Sequence, residues 1–519
     1  MPDGGRAHAV AVIGLGPVGA VAANLLAKDG IDTIAIEASR TIWDTPRAIG
    51  MDHEVLRILQ SIGVADDLQP YCEPYRPTQY HSACGEVLRQ FDSLPEPYPL
   101  AWPPNLTFVQ PELEKALRAA CTAHPTLRLR LGQPVRRIER TNHGTWLIVI
   151  DDNGEAETIE ATYVLACDGA SSFVRTALGI SMEDLSFDEP WLVVDVLLND
   201  DVELPELNIQ FCDPARPMTF VRGPNRLRRW EIMLNPGDDP VAMTEEKNLW
   251  LLLARWLKPD QARIWRAATY RFHALVANEW YRENVFLVGD AAHQSPPFMA
   301  QGMSQGMRDA ANIAWKLRAV IDGGATPNIL RTYELERRPN VRAVIETTKN
   351  LGQIICERNS LRAAERNKRM RAEMVAGTGR QIRQNLLPPL ENGLLMKSAG
   401  AGETAPQPWL RVDGKAVRSD DVTGIGFHLW LRVGTTINSK VKALAAKLGV
   451  GIFVLDSVES ESSVVEVNGI FQDWLAARGA CAALVRPDHI VYGTAGSENQ
   501  IMDMHQSLAT DLGLLSLAE

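Results

Sequence analysis

Three short stretches carry the residues best suited to chemistry: Gly14-Leu15-Gly16-Pro17-Val18-Gly19 with Glu37, then Asp168-Gly169, then Gly289-Asp290. Each follows an apolar run and joins small residues to a carboxylate. In the first, Gly14 permits a tight turn, Gly16 lets the backbone approach a pyrophosphate, and Gly19 lets the following helix pack on its strand. The N-terminus of that helix offers free N–H groups and the positive end of a dipole to phosphate. Glu37, about twenty residues on, stands where a ribose hydroxyl would be bound. In an open α/β sheet, ligands lie at the carboxyl ends of the strands. All three stretches are therefore expected to line one crevice that holds a dinucleotide.

The elements that must position these residues can be read from apolar spacing. Strands are expected at residues 10–13, 33–36, 163–166 and 285–288, each running into one of the functional turns. Helices are expected at 20–29, 54–62, 110–123 (with Pro111 in its first turn) and 303–321. Alternating segments at 135–140 and 145–150 read as strands, and Asp152-Asn153-Gly154 as a hairpin turn between strands. From 189 to 276 the pattern becomes an antiparallel sheet, with runs at 191–198, 207–212, 218–222, 229–234 and 270–276 and one helix at 245–257. Residues 334–383 read as a charged helical stretch, a solvated face or subunit contact, and 388–408 as a Gly- and Pro-rich linker. Alternating strands and helices beyond it form a small α/β domain.

Composition sets the bounds. A chain of 519 residues suggests two to four domains. Its net charge of −11 argues against broad binding to nucleic acid or anionic membranes. Seven scattered cysteines form no CxxC pair and no metal-ligand spacing, and read as reduced thiols in the cytoplasm. Residues 1–8 contain no apolar signal core, and no apolar run is long enough to span a membrane.

Several residues invite a second reading. Gly302-Met303-Ser304-Gln305-Gly306 fits the GxSxG pattern of a serine hydrolase, but a Pro296-Pro297 loop precedes it where a strand should be. His293 reads as a packed histidine before a general base, and Cys167 as a small buried residue. His53 is a candidate for the substrate pocket or for a helix surface. Arg222 and Arg229 could meet a substrate carboxylate, with solvated charge as the simpler account. Trp102, Trp191 and Trp230 are expected in a core before a pocket wall.

Together the motifs resemble the FAD-dependent aromatic hydroxylases of the para-hydroxybenzoate hydroxylase type, the group A flavoprotein monooxygenases. The likeness is greatest to the 3-(3-hydroxyphenyl)propionate hydroxylases. GxGxxG, DG and GD occur in that family's order, and smaller matches lie at Pro46-Arg47-Ala48, Gln110, 212–217, 307–310, 314–317, 336–339 and 484–488. The resemblance spans essentially the whole chain and implies an α/β fold. A Rossmann-like FAD-binding domain would comprise 1–72, 101–180 and 283–340, and an antiparallel-sheet substrate-binding domain 73–100 and 181–282. A helical segment and linker would follow at 341–395, then a thioredoxin-like C-terminal domain at 396–519.

The resemblance also implies roles. Glu37 would hold the adenosine ribose, the Gly14–Gly19 turn with Pro17 and Val18 the pyrophosphate, and Arg47 and Gln110 the diphosphate region. Gly289-Asp290 would take the ribityl-phosphate part. Asp168-Gly169, with Arg175 behind, would serve FAD and the nicotinamide nucleotide. Gly302, Met303 and Ser304 would present N–H groups to the flavin N1 and O2 edge, where a helix N-terminus stabilises negative charge. Pro297 would border the flavin peroxide. Ala300 and Ser304 depart from the family's usual Gly and Asn.

The implied activity is hydroxylation of a phenol ortho or para to its hydroxyl, using NAD(P)H and O2 through a flavin C4a-hydroperoxide, in aromatic catabolism. A 3-hydroxyphenylpropionate-like substrate is favoured. The alternatives are a flavoprotein oxidase or reductase, and a polycyclic phenol hydroxylase of a biosynthetic pathway. The single GxGxxG unit fits resident FAD and visiting NADH or NADPH, and the WxWxIP signature of flavin halogenases is absent. The phenol-activating group stays open among backbone groups, ordered water and His53. The C-terminal domain, without CxxC, is expected to be structural or to aid a homodimer contact.

Overall fold

The computed structural model describes residues 7–140, 144–150, 153–456 and 463–514. Asp152 of the expected hairpin turn lies outside them, as do residues 1–6. The strand His8–Ile13 sits at the centre of the first sheet, parallel to Thr33–Glu37 on one side and to the end of Ala156–Ala166 on the other. Leu127–Leu131 and Val285–Leu287 extend the parallel set outward. Helix Pro17–Lys28 packs between Gln110–Thr122 and Gly302–Ile321. Its buried Asn24 donates to the Ala20 and Leu117 carbonyls at 2.8 and 3.0 Å, which ties two of these helices together without leaving a donor unpaired.

A nine-stranded sheet forms the second body. Its long strands, Met182–Leu198 and Ala262–Ala277, exceed the expected apolar runs because backbone pairing continues through charged positions such as Glu183 and Arg263. Thr78–His81 and Val87–Asp92 join this sheet, although they precede its other strands by a long interval. Alternation along the strands divides the two faces. Leu192, Val194, Val196, Phe220 and Trp230 pack beneath helix Glu246–Leu253. Val193, Asp195, Arg229 and Glu231 point the other way, toward the first sheet.

The charged stretch expected as one helix divides into Thr332–Ile355 and Ser360–Val375, with the Asn359 side chain capping the second. Its face is not wholly solvated: Arg366 is buried and donates to the Cys212 carbonyl at 2.7 Å. Arg380–Ile382, within the same expected arm and linker, is an edge strand of the nine-stranded sheet.

The C-terminal residues build a seven-stranded mixed sheet. Helices Ser439–Lys447 and Glu498–Asp511 cover the face carrying Leu429 and Leu431, and Ile470–Ala477 covers the face carrying Trp430. Two charged joints hold this body to the first. In one, buried Glu336 accepts from Lys316 at 2.8 Å and from Arg486 at 2.8 and 3.1 Å, and Arg486 also reaches Asp488. The Glu336 carboxyl is thereby drawn down to about 2, overcoming its burial. In the other, Arg57 grips Asp420 with two bonds of 2.6 and 2.9 Å, beside His489 at 3.6 Å.

Glu336→Ala should destabilise the protein by about 3–5 kcal/mol, because it leaves buried Lys316 without its carboxylate and Arg486 with Asp488 alone; urea unfolding measures this. The second joint is acid-sensitive. Burial holds His428 and His489 at about 4 instead of 6.5, so the unfolded chain binds protons first as pH falls through that window. Stability should drop by roughly 2 kcal/mol for each histidine between pH 7 and 5, and His489→Asn should flatten the dependence of the urea midpoint on pH.

Candidate active site

The first functional turn is shaped by contact between backbones. Gly14 has φ +88°, donates to the Ile36 carbonyl at 2.8 Å, and lies so near the next strand end that a Cβ would meet the Cys167 oxygen at 2.5 Å. A Cβ on Gly19 would meet the Gly14 oxygen at 2.0 Å. Gly16 differs: a Cβ there meets nothing within 4 Å, because this glycine faces open space. Glu37 is oriented by the Leu15 and Ser39 N–H groups, at 2.7 and 2.8 Å on its two oxygens. A carboxylate has further lone pairs, and these remain for a ligand hydroxyl.

At the second strand end, Asp168 accepts from Ser172 Oγ at 2.5 Å and from the Val174 N–H at 3.0 Å, capping the short helix Phe173–Ala177. Arg175 donates to the Ala170 and Ala291 carbonyls, bracing the second turn against the third. Burial lowers its pKa and Asp168 opposes that. Gln110 Oε1 accepts from the Arg47 and Ala48 N–H groups at 2.8 and 2.6 Å, clasping the loop that carries Arg47.

The third turn hangs on Asp309. This buried carboxylate accepts from the Gly289 N–H at 3.2 Å, pairs with His293 Nε2 at 2.8 Å and takes Arg337 Nε at 2.8 Å. His293 also stacks on Trp280, so it is the packed histidine its sequence context suggests. Asp290 opens into the crevice and has no hydrogen-bond partner among the described residues; the surrounding protein pushes its pKa up while His293 and Arg47 draw it down. Ala300 is left-handed at φ +51°, a conformation that glycine adopts without steric cost. In helix Gly302–Ile321 the Gln305 N–H bonds back to the Gln301 carbonyl, so the N–H groups of Gly302, Met303 and Ser304 precede the first helical acceptor.

Two cavities of about 470 and 420 Å³ share Gly16, Pro17, Arg47, Gln110, Cys167 and Gly169, and so form one crevice. Gly14, Glu37 and Asp168 line its first part, and Val18, Asp290, Pro297, Gly302 and Met303 its second. Gly19, Arg175, Gly289 and Ser304 stand behind the wall, Ser304 fully buried with its hydroxyl unpartnered among the described residues.

His53 must be corrected. It neither lines the crevice nor lies on a surface: the ring is buried among Asp52, Glu54, Arg308 and Arg57, and burial lowers its pKa.

The crevice continues onto the open face of the nine-stranded sheet. Arg229, Asp195 and Arg266 are direct cross-strand partners. Arg229 grips Asp195 at 2.7 and 3.0 Å, and Arg266 reaches the same carboxylate at 3.4 Å. Arg229 is therefore not solvated charge, while Arg222 pairs with exposed Glu206 at the periphery. Trp102, Trp191 and Trp230 are core residues; Trp191 backs the wall by stacking on Phe272 at 5.9 Å. Glu231, Arg266, Tyr270 and Phe272, which line this chamber, escaped sequence reasoning. Their signal was the alternation of Arg229 with Glu231 and of Tyr270 with Phe272, which names a face but not what it faces.

A family model described as "FAD binding domain" matches residues 7–348. The chain is also 33% identical to a "Probable NADH-specific resorcinol 4-hydroxylase" of Rhodococcus jostii, over 98% of this chain and 96% of that one. The chain belongs to the FAD-dependent aromatic hydroxylases. This hydroxylase is 29% identical to a "3-(3-hydroxy-phenyl)propionate/3-hydroxycinnamic acid hydroxylase" of Klebsiella pneumoniae, over 94% of this chain and 91% of that one. Residues 402–511 match a model described as "HcaD C-terminal domain". Its fold matches the flavin-dependent monooxygenase PieE with a TM-score of 0.84 at 20% identity, over 99% of this chain and all of that one.

The hydroxylase's residues fit FAD: Gly16 leaves room for phosphate, Asp290 faces the crevice with no hydrogen-bond partner among the described residues, and free N–H groups lie beyond. Gly16→Val should therefore fold with an unchanged apo melting temperature yet lose FAD affinity by about a hundredfold, the cost of displacing a phosphate from its N–H cradle. Fluorescence titration and thermal melts measure the two effects separately.

Proposed function

We propose that this protein is an NADH-driven, FAD-dependent monooxygenase that hydroxylates a phenol ortho or para to its ring hydroxyl. The observation that carries the reading is the single crevice leading from the dinucleotide turn into a chamber on the antiparallel sheet. Bound and reduced, FAD supplies the activation of O2. Glu37, Arg47, Asp168 and Asp290 would hold its polar parts. Gly302 and Met303, at the positive end of a helix, would stabilise negative charge on its ring edge.

The chamber's work is positioning and exclusion of water. The rung of Arg229, Asp195 and Arg266 cross-links three strands and reaches the Pro46 and Arg47 carbonyls, fixing the floor beside the cofactor loop. Phe272, Pro297 and the buried Trp191 and Phe298 behind them keep the reacting end apolar. A held ring needs no further search for its attack geometry. A phenol ionises near pKa ~10, so proton removal must be assisted at neutral pH.

Further parts of the reading have their own support. NADH as donor is supported by the printed specificity of the Rhodococcus relative. A thioredoxin-like C-terminal domain is supported by its sheet with a parallel core and helices on both faces. A cytoplasmic setting is supported by seven free thiols, and no helix among the described residues is long and apolar enough to cross a membrane.

Resorcinol and 3-(3-hydroxyphenyl)propionate, substrates in the names of the two relatives, form the test panel. At least one should stimulate NADH oxidation and yield hydroxylated product in proportion to NADH consumed. Stimulated oxidation yielding only H2O2 with every phenol would mark an oxidase instead.

A further inference from the structure

The charges on the chamber wall are balanced in a way that bears on the substrate. Arg229 spends its guanidinium on Asp195 and on the Pro46 and Arg47 carbonyls. Arg266 spends its own on Asp195, the Pro46 carbonyl and the Tyr270 hydroxyl. At the mouth, Arg271 is held bidentately by Asp188 at 2.9 and 2.7 Å, with His273 also beside that carboxylate.

Glu231 stands apart. It lines the chamber on the same strand face as Arg229, yet their closest approach is 4.0 Å, beyond a hydrogen bond. No donor among the described residues reaches it. Its oxygens are not among the sealed, unpartnered polar atoms of the interior, as expected if they open on the cavity. Arg229 on its own strand, Asp195 and Arg266 on the next two are the charged groups around it, and Thr219 is its uncharged partner on the other side. Burial raises its pKa above the usual 4.5, with the two arginines opposing.

A buried carboxylate with unused lone pairs calls for a donor. A second anion beside it would meet repulsion, and the two arginines nearest to it, Arg229 and Arg266, could turn to that anion only by leaving Asp195, stranding that charge. Resting on the phenol hydroxylation proposed above, we infer that the substrate is an uncharged di- or polyhydric phenol without a carboxylate side chain, and that Glu231 is the catalytic residue that accepts its hydroxyl hydrogen bond and then its proton. In that step the phenol O–H bond breaks and an O–H bond forms on Glu231. The electron pair stays on the phenolate oxygen, raising electron density at the ortho and para carbons.

The test uses oxidised holoenzyme and follows flavin absorbance during titration with resorcinol and with 3-(3-hydroxyphenyl)propionate. Resorcinol should bind at least about tenfold more tightly at pH 7, and Glu231→Gln should retain FAD while weakening resorcinol by about ten- to a hundredfold, as expected for a lost charged hydrogen bond. Wild-type affinity for resorcinol should fall as acid protonates Glu231 at a pH above 4.5, and the Gln variant should lack that fall. Equal or tighter binding of the carboxylated phenol, or an unaltered affinity and pH profile in the Gln variant, would overturn the inference. Should that variant lose FAD, Glu231→Asp and the wild-type comparison carry the test. Preferred turnover of the carboxylated phenol would defeat this inference and leave the monooxygenase reading standing. Tight, Glu231-dependent resorcinol binding without hydroxylation of any phenol would overturn the monooxygenase reading, and the catalytic role of Glu231 with it.

Discussion

The structure depends on one close approach, that of the Gly14 backbone to the Cys167 carbonyl. Strands His8–Ile13 and Ala156–Ala166 end level with each other, Ile13 beside Ala166, and the Cys167 N–H donates to the Ile13 carbonyl at 2.8 Å. A methyl group on Gly14 would press on the Cys167 oxygen from only 2.5 Å. Without one, the chain turns sharply over the neighbouring strand. Gly19 then lets the first helix press its N-terminus against the same strand ends. The open space before Gly16 is what remains when the turn is tight on one side only.

Around that turn, buried charges act as joints. Asp309 locates the Gly289 turn, and Asp52 accepts from Gln301 and Arg308 at 3.0 and 2.8 Å to anchor the segment entering helix Gly302–Ile321. Glu336 ties that helix to the C-terminal body through Lys316 and Arg486. Buried ion pairs are poor sources of net stability, because desolvation offsets most of the attraction, but a misplaced partner is costly. Here they specify where helices and loops sit relative to one another. The short family matches at 307–310, 314–317, 336–339 and 484–488 gain a common explanation, since Asp309, Lys316, Glu336, Arg486 and Asp488 all belong to these joints.

The legible parts of the sequence were local. Apolar runs ending in Gly14, Asp168 and Gly289 announced parallel strands and their turns, because a strand buried on both faces must be apolar throughout and its turn needs residues without bulk. The less legible parts were long and charged. Met182–Leu198 and Ala262–Ala277 outran their apolar cores because each runs past the covered face, where hydrogen bonding continues without hydrophobic patterning. The 334–383 stretch broke at Asn359, whose side chain starts a new helix. The sequence context of Gln110 and Arg175 suggests cofactor contacts and gives no sign that each braces a turn, which the structure shows.

What the sequence by itself determined is the dinucleotide turn, its three strand ends and the acid that closes the first, since those demands fall on residues adjacent in the chain. What only the tertiary structure decided is the substrate chamber. Arg229, Asp195 and Arg266 meet because three strands distant in sequence pair in one register, and Glu231 is left open because the same rung satisfies its neighbours. Nothing along the chain distinguishes those four charges from surface charges. Burial and the choice of partner are properties of the packed sheet.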